Sequence, residues 1–425
     1  MTAPRTDARE FMAPAIANTV LQRSLGVGLL FGVASLIFAL VPATREQFFH
    51  AYLVGFMLWL GVSLGSMAIL MLQHLTGGKW GMVIRRQLEA AMNVLPLMAA
   101  LFIPIAAAGM YYLYTGNHEA VGGWAGWLNP DPADEHLKEM SRVFLTRWGT
   151  WNFLFLNGYI GRAILYFAIW LLLARVLTRW SAEQDNPPVQ NLAPRFRTLS
   201  APGIILYVFT ISFAVIDWVM SIDPHWYSTI FGFIFVVGQC LSAMCMMVIV
   251  ERTMVPYSPT EFLLKPKEVH DHGKLMLTFV LLWAYFSFSQ LLIIWAGNLP
   301  MEIRFFARRL NSGWQYIGLE LVIFHFAIPF LVLLSRPFKK NPYALVKLAA
   351  WLIFMRFVDL FWYIEANFHK RLEFQWSYVL DLVVPIAIGG FWVTFFFRNL
   401  RSRPLLPLYD MHAQEFLEYV GAAHD

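Results

Sequence analysis

The chain is 425 residues long, 58% hydrophobic and 14% charged, where an ordinary soluble chain runs about 45–50% apolar and about 25% charged; the apolar excess is too large for a globular core. A net charge of +5 gives no reason to invoke nucleic acid. The only cysteines, Cys240 and Cys245, exclude a four-cysteine iron–sulfur cluster and any haem-attachment motif.

The apolar residues fall into ten stretches of roughly twenty residues, the length at which an α-helix crosses about 30 Å of hydrocarbon with its backbone polar groups satisfied. The first, Leu25 to Val41, follows a segment (1–24) without the short apolar core and small-residue cleavage site of a removable signal peptide, so this span is expected to remain. The second, Tyr52 to Leu72, and the third, Leu88 to Tyr112, lead into an outer loop, Leu113 to Trp151, whose Trp124, Trp127, Pro130 and Pro132 suit a small docking surface. The fourth, Asn152 to Val176, is followed by a loop, Leu177 to Pro202, that contains Pro187 and Pro188 and separates the first five spans from the last five. Then come Gly203 to Ser221, Ser228 to Val250, Gly273 to Ala296, Trp314 to Ser335, Ala344 to Ile364 and Ser377 to Phe397. The membrane domain thus covers 25–398, and the polar tail, 399–425, carries MHAQEFLEYV, which suits a short interfacial helix.

Short loops rich in Lys and Arg remain cytoplasmic. Placing the N-terminus inside puts 21 of the 32 Lys and Arg on that face, including Lys79, Arg85, Arg86, Arg175, Arg179, Arg195, Arg197, Lys339 and Lys340; the other face receives nine, and Arg162 and Arg356 lie within spans. With an even number of spans both termini are then cytoplasmic.

A weak internal repeat runs through this pattern. The second span begins with His50 and Tyr52 and the sixth with His225 and Tyr227; Asp217 is followed six residues later by Asp223, and Asp359 six residues later by Glu365. The expected fold is therefore all-α: a polytopic membrane protein of about ten transmembrane helices, arranged as two related four-helix bundles (spans 2 to 5 and 6 to 9) flanked by spans 1 and 10. Repeats of this kind are common where the working site lies between packed helices.

Ionisable residues inside spans are costly, about 2.5–3.5 kcal/mol each on insertion scales, and normally face the bundle interior and mark a pathway. Here they are Arg162, Asp217, Glu320, His325, Arg356 and Asp359, with Gln239, Tyr285, Ser287, Ser289 and Gln290 nearby. Each also fits a structural role, as a charge pair fixing helix packing or a hydrogen-bonded core histidine. Asp223, Glu365 and Asp381 fall near the outer boundary, where solvation is the alternative. His325 is the only histidine well inside a span, which argues against a bis-histidine haem. No metal-ligand spacing is apparent, so any electron transfer is expected to use cofactors held by partners.

Four runs carry a resemblance: HLTGGKWGMVIRRQLEAAMNVLP (His74 to Pro96), RAILYFAIW (Arg162 to Trp170), DWVMSIDPHWYSTIFG (Asp217 to Gly232) and HDHGKLMLTFVLLWAYFSFSQLLIIWAGNLPMEI (His270 to Ile303). Over nearly its whole length the chain resembles the larger NrfD-type membrane subunits of bacterial alternative complex III, the ActF family. One segment departs from the family pattern, TWNFLFLNGYIGR before the fourth span, where a longer polar Tyr-Leu-Asn stretch is expected. The resemblance implies a subunit of a quinol-oxidising complex in a bacterial inner membrane. It implies as partners a second NrfD-like, quinol-binding membrane subunit, an iron–sulfur subunit, multi-haem and mono-haem c-type cytochromes and, in some cases, a terminal oxidase, besides lipids. It also implies no covalent or metal cofactor here, menaquinol or ubiquinol as the substrate of the complex, and a supporting and proton-translocating role for this subunit.

Two site expectations follow from the residues. A quinol-contacting cavity would be lined by Tyr111, Tyr112, Asn152, Asp217 and Ser221, with a desolvated carboxylate as base. A proton relay would rise from Glu251, His270, Asp271 and Lys274 through Gln239 and His325 to Glu320, Arg356 and Asp359, with Arg162 and Asp217 as further candidates. Two other classes stay open: a proton-coupled secondary transporter, which would show helices broken by paired Gly and Pro near the midplane, and a purely structural anchor for peripheral redox subunits.

Overall fold

The computed structural model describes residues 8–115, 135, 158–189, 191–223, 225–257, 260–373 and 375–421. Of these, 85% are helical and none is in a strand. Nine helices among the described residues are long and apolar enough to cross a membrane. In chain order the elements are α1 (Ile16–Leu40), α2 (Pro42–Thr76), α3 (Lys79–Thr115, in three pieces), α4 (Tyr159–Glu183), α5 (Ala193–Trp218), α6 (Phe231–Met254), α7 (Pro266–Gly297), α8 (Pro300–Leu310), α9 (Trp314–Leu334), α10 (Pro342–Phe368), α11 (Leu380–Leu400) and α12 (Met411–Gly421). The one expected span outside these nine is the ninth, Ala344 to Ile364, which is α10. Its 27 residues would reach about 40 Å, but Lys347, Arg356, Asp359 and Glu365 interrupt its apolar run.

Proline shapes several of these helices by removing a backbone donor and clashing with the preceding turn. Pro96 and Pro104 open new pieces of α3, which runs as Lys79–Met92, Leu95–Leu101 and Ile103–Thr115. Pro329 follows a π-helical turn, Leu321–Ala327, within α9. Pro385 lies inside α11, where its carbonyl accepts the Trp59 indole N–H at 2.8 Å.

The second and sixth spans, α2 and α6, form the centre: α2 packs on α5, α6, α10 and α11, and α6 on α5, α7 and α10. Their crossing is close because α2 is bare where α6 passes. A Cβ on Gly65 would lie 2.1 Å from the Gln239 carbonyl oxygen, and one on Gly61 3.1 Å from Gln239 Cγ. This Gly-x-x-x-Gly seam lets backbones approach where lipid supplies no hydrophobic drive. The outer helices are apolar on their exposed sides too: Leu30 and Leu36 of α1, Phe288 and Ile293 of α7, and Val322 and Leu331 of α9 are all exposed. Such surfaces are stable against lipid and not against water. Tyr227, Trp295, Tyr316 and Trp376, all exposed, mark one end of the helices with the aromatic belt of a membrane interface.

The start of the third span differs from the sequence expectation in an instructive way. It begins at Lys79 rather than Leu88, so Arg85 and Arg86, expected in a loop, are helical and buried. Arg85 donates to Asp410 Oδ2 at 2.9 Å and to Gln184 Oε1 at 2.6 Å. Arg86 donates to Glu89 at 3.1 Å and pairs with Asp185. Burial raises the Asp185 carboxyl above its ordinary range despite the Arg86 guanidinium beside it. The tail is docked by the same network: Ala413 and Phe416 of α12 join Phe11, Met82, Val83, Leu263, Leu406 and Leu408 in a small apolar cluster.

Candidate functional site

Within the spans, the buried polar groups form two charge centres and separate hydrogen-bonded pairs. In the first centre, Arg162 of α4 meets Asp217 of α5 through two parallel hydrogen bonds, Nε to Oδ2 and Nη2 to Oδ1, both 2.8 Å. Tyr166, one turn further along α4 and therefore on the same face, donates to Asp217 Oδ2 at 2.9 Å. Three donors thus occupy the carboxylate, which as an anion can only accept. Ser221 donates to the Asp217 backbone carbonyl at 2.6 Å, so its hydroxyl is spent on its own turn. Asn152 lies outside the described residues, and of Tyr111 and Tyr112 only the helical backbone is described. An apolar cleft of about 830 Å³, with Phe48, Tyr52, Pro104, Ile388 and Phe391 among its walls, opens between α1, α2, α3 and α11.

In the second centre, Arg356 and Asp359 pair one turn apart on α10. The guanidinium is pressed against α6, where a Cβ on Gly238 would come 2.4 Å from its Cζ. Trp283 of α7 donates its indole N–H to Asp359 Oδ2 at 3.2 Å, and its ring stacks on His325 with centroids 4.2 Å apart. One indole thus connects the histidine to the carboxylate. His325 is fully buried, and neither ring nitrogen makes a well-aligned hydrogen bond, although the Met355 backbone comes within reach of the ring. It sits within the π-helical turn of α9, a distortion frequent at functional sites. Buried polar atoms left this way are commonly bridged by ordered water. Glu320, just before that turn, is half-buried and is not brought into the Arg356–Asp359 pair.

Between the centres, Tyr207 of α5 donates its hydroxyl to Gln239 Oε1 at 2.7 Å, both side chains buried. At the end of α6, Glu251 meets His272, a residue that the sequence pattern does not single out. His272 Nε2–H donates to the Trp80 carbonyl at 2.9 Å, and Nδ1 lies 3.0 Å from Glu251 Oε2. A carbonyl only accepts, so the Nε2 proton is committed; the Nδ1–carboxylate contact then requires a second proton, carried on the ring or on the acid. The pair therefore holds one exchangeable proton. Asp271 turns away to Lys274 at 2.8 Å on the exposed side, with His270 Nδ1 4.0 Å from the Asp271 carboxylate. The four groups expected to cluster thus separate: Glu251 pairs with the buried His272, Asp271 pairs with Lys274 at the surface, and the buried His270 borders Asp271.

Asp223, Glu365 and Asp381, for which solvation is the alternative, are all buried. Asp223 pairs with Arg308 of α8 at 3.6 Å. Arg309, fully buried beside it, stacks over Phe305 at 3.6 Å and donates to the Phe305 and Tyr363 carbonyls and to Asn367; burial pushes its guanidinium down to about 9. Compared with known proteins, the chain matches no family model and no curated protein.

Proposed function

We propose that the chain is the larger NrfD-type membrane subunit, ActF-like, of an alternative complex III, and that it supports quinol oxidation by neighbouring subunits and moves protons across the membrane. On this reading it lies in a bacterial inner membrane with both termini cytoplasmic, and its helices form two related bundles, α2 to α5 and α6, α7, α9 and α10, flanked by α1 and α11. The observation that carries the reading is the staggered set of buried polar groups in the second bundle and at its border with α5. Glu251 and His272 stand at one end, Gln239 with Tyr207 and His325 with Trp283 further along, and Asp359 with Arg356 beyond.

Proton entry is through the Glu251–His272 pair, fed from the surface groups Asp271 and Lys274 by way of the neighbouring buried His270. Water-bridged transfer then carries the proton past Gln239 to His325 and on to Asp359, with Glu320 and Arg356 setting the local charge. A bare charge crossing the field costs about 2.3 kcal/mol per 100 mV in addition to desolvation, so stepwise transfer between titratable groups is the favoured route. Histidine suits the middle because an imidazole can take a proton at one ring nitrogen and release one from the other. In the first bundle, Asp217 with Tyr111, Tyr112, Asn152 and Ser221 remains the candidate for quinol contact in this chain. The three hydrogen bonds on its carboxylate favour a fixed charge over a base.

Gentle purification of the tagged chain from its native membranes tests this. The expected result is a complex with a second NrfD-like subunit, an iron–sulfur subunit and multi- and mono-haem c-type cytochromes that reduces an electron acceptor with menaquinol or ubiquinol. A chain that purifies alone and takes up solute in vesicles would replace this reading with the transporter.

A further inference from the structure

At the end of the helices marked by the aromatic belt, α2 and α10 bring together His50, Glu365 and His369. Their ligand atoms lie within 4.8 Å of one another. Glu365 Oε2 is 3.6 Å from His50 Nδ1 and 3.3 Å from His369 Nε2. We propose that these three side chains bind a divalent transition metal, Zn²⁺ being the best match.

The spacing supports this. A tetrahedral zinc site with bonds of about 2.05 Å has ligand–ligand edges of about 3.3 Å, and two of the three edges are already close to that value. The third closes by rotation of the half-buried His369 ring, while His50 and Glu365 are fixed in the core. Two imidazoles and a carboxylate are a donor set that zinc takes readily. Gln47 Oε1, 3.2 Å from His369 Nε2, borders the fourth position. Asp381 orients that amide by accepting its N–H at 3.0 and 2.9 Å, the role of an outer-shell carboxylate.

Charge points the same way. Glu365 and Asp381 are both buried, and among the described residues no Lys or Arg pairs with either. The hydrogen-bonding groups facing the Glu365 carboxylate are the two imidazoles, at 3.6 and 3.3 Å. Two buried carboxylates beside two imidazoles, with no Lys or Arg paired to them, form an acid-rich setting that suits a dication. The bound metal would clamp the start of α2 to the end of α10, tying together helices from the two halves of the chain.

The test uses the full chain in detergent, stripped with a chelator and titrated with Zn²⁺ against a competing chromophoric chelator. The parent is expected to bind one zinc per chain. Glu365→Gln and His369→Leu are each expected to weaken binding by at least about 100-fold, and Asp381→Asn by about 10–100-fold. Co²⁺ in place of zinc should give the intense visible absorption of a four-coordinate site, lost in the same variants. Thermal melts of each variant guard against misfolding; should Glu365→Gln fail to fold, the half-buried His369→Leu decides alone. Zinc binding unchanged in His369→Leu, or a parent that binds no zinc more tightly than the Glu365→Gln/His369→Leu double variant, overturns the site and leaves a hydrogen-bonded imidazole–carboxylate cluster.

Discussion

Gly65→Ala is expected to damage the protein far more than Gly61→Ala, although the two glycines lie one turn apart on the same face of α2. The alanine Cβ at 65 would stand 2.1 Å from the Gln239 carbonyl oxygen and 2.5 Å from its carbon, against 3.4–4 Å for ordinary contact. The obstacle is backbone, so no rotamer relieves it; α6 must retreat by about 1.3 Å, and a gap near 1 Å already forfeits about half of a dispersion well. Overpacking ordinarily costs about 1–3 kcal/mol, and a rigid neighbour puts this case at about 3 kcal/mol or more. At 61 the nearest atom is the Gln239 side-chain Cγ at 3.1 Å, which yields. The helix preference of Ala over Gly, about 1 kcal/mol, then leaves Gly61→Ala within about 1 kcal/mol of the parent. Equilibrium unfolding in mixed micelles, followed by tryptophan fluorescence, measures both. Equal losses, or a larger loss at 61, would refute the tight α2–α6 crossing.

Two further outcomes are expected. Arg162→Leu and Asp217→Leu should each cost about 3–5 kcal/mol by stranding a charge, while the double variant costs less than their sum; strictly additive losses in the same unfolding assay would show that the pair does not act as a unit. Cys240 and Cys245 are buried and should stay silent to impermeant thiol reagents, so a cysteine at exposed Lys370 should label from outside intact cells and one at exposed Asn186 should not; the reverse pattern would invert the proposed orientation.

The helical membrane class is legible in the sequence because apolar runs of about twenty residues suit little besides a bilayer crossing. Even α10 shows by its length, although its charges dilute the signal. Arg85 and Arg86 are easily assigned to a loop, since counting basic residues says nothing about Glu89, Asp185 and Asp410, which come from three places in the chain to neutralise them. His272 escapes notice for a helical reason: at about 100° per residue it lies on a different face from His270, and only packing reveals that its face meets Glu251. The π turn around His325 has no one-residue signature. Glu365 is legible as an acid at the end of a span, but His50, 315 positions earlier in the sequence, reaches it only through the packing of α2 against α10. Local patterns announce helices; partners of buried charges come from the tertiary fold.

The most direct test of the account is the number of protons moved per electron by the complex reconstituted in sealed vesicles, comparing the parent with His325→Leu and Asp359→Asn. A relay through the second bundle predicts that quinol oxidation persists in both variants while the ratio falls. An unchanged ratio in both would reduce His325, Trp283, Arg356 and Asp359 to a packing histidine beside a static ion pair, and the proton-moving role would be contradicted.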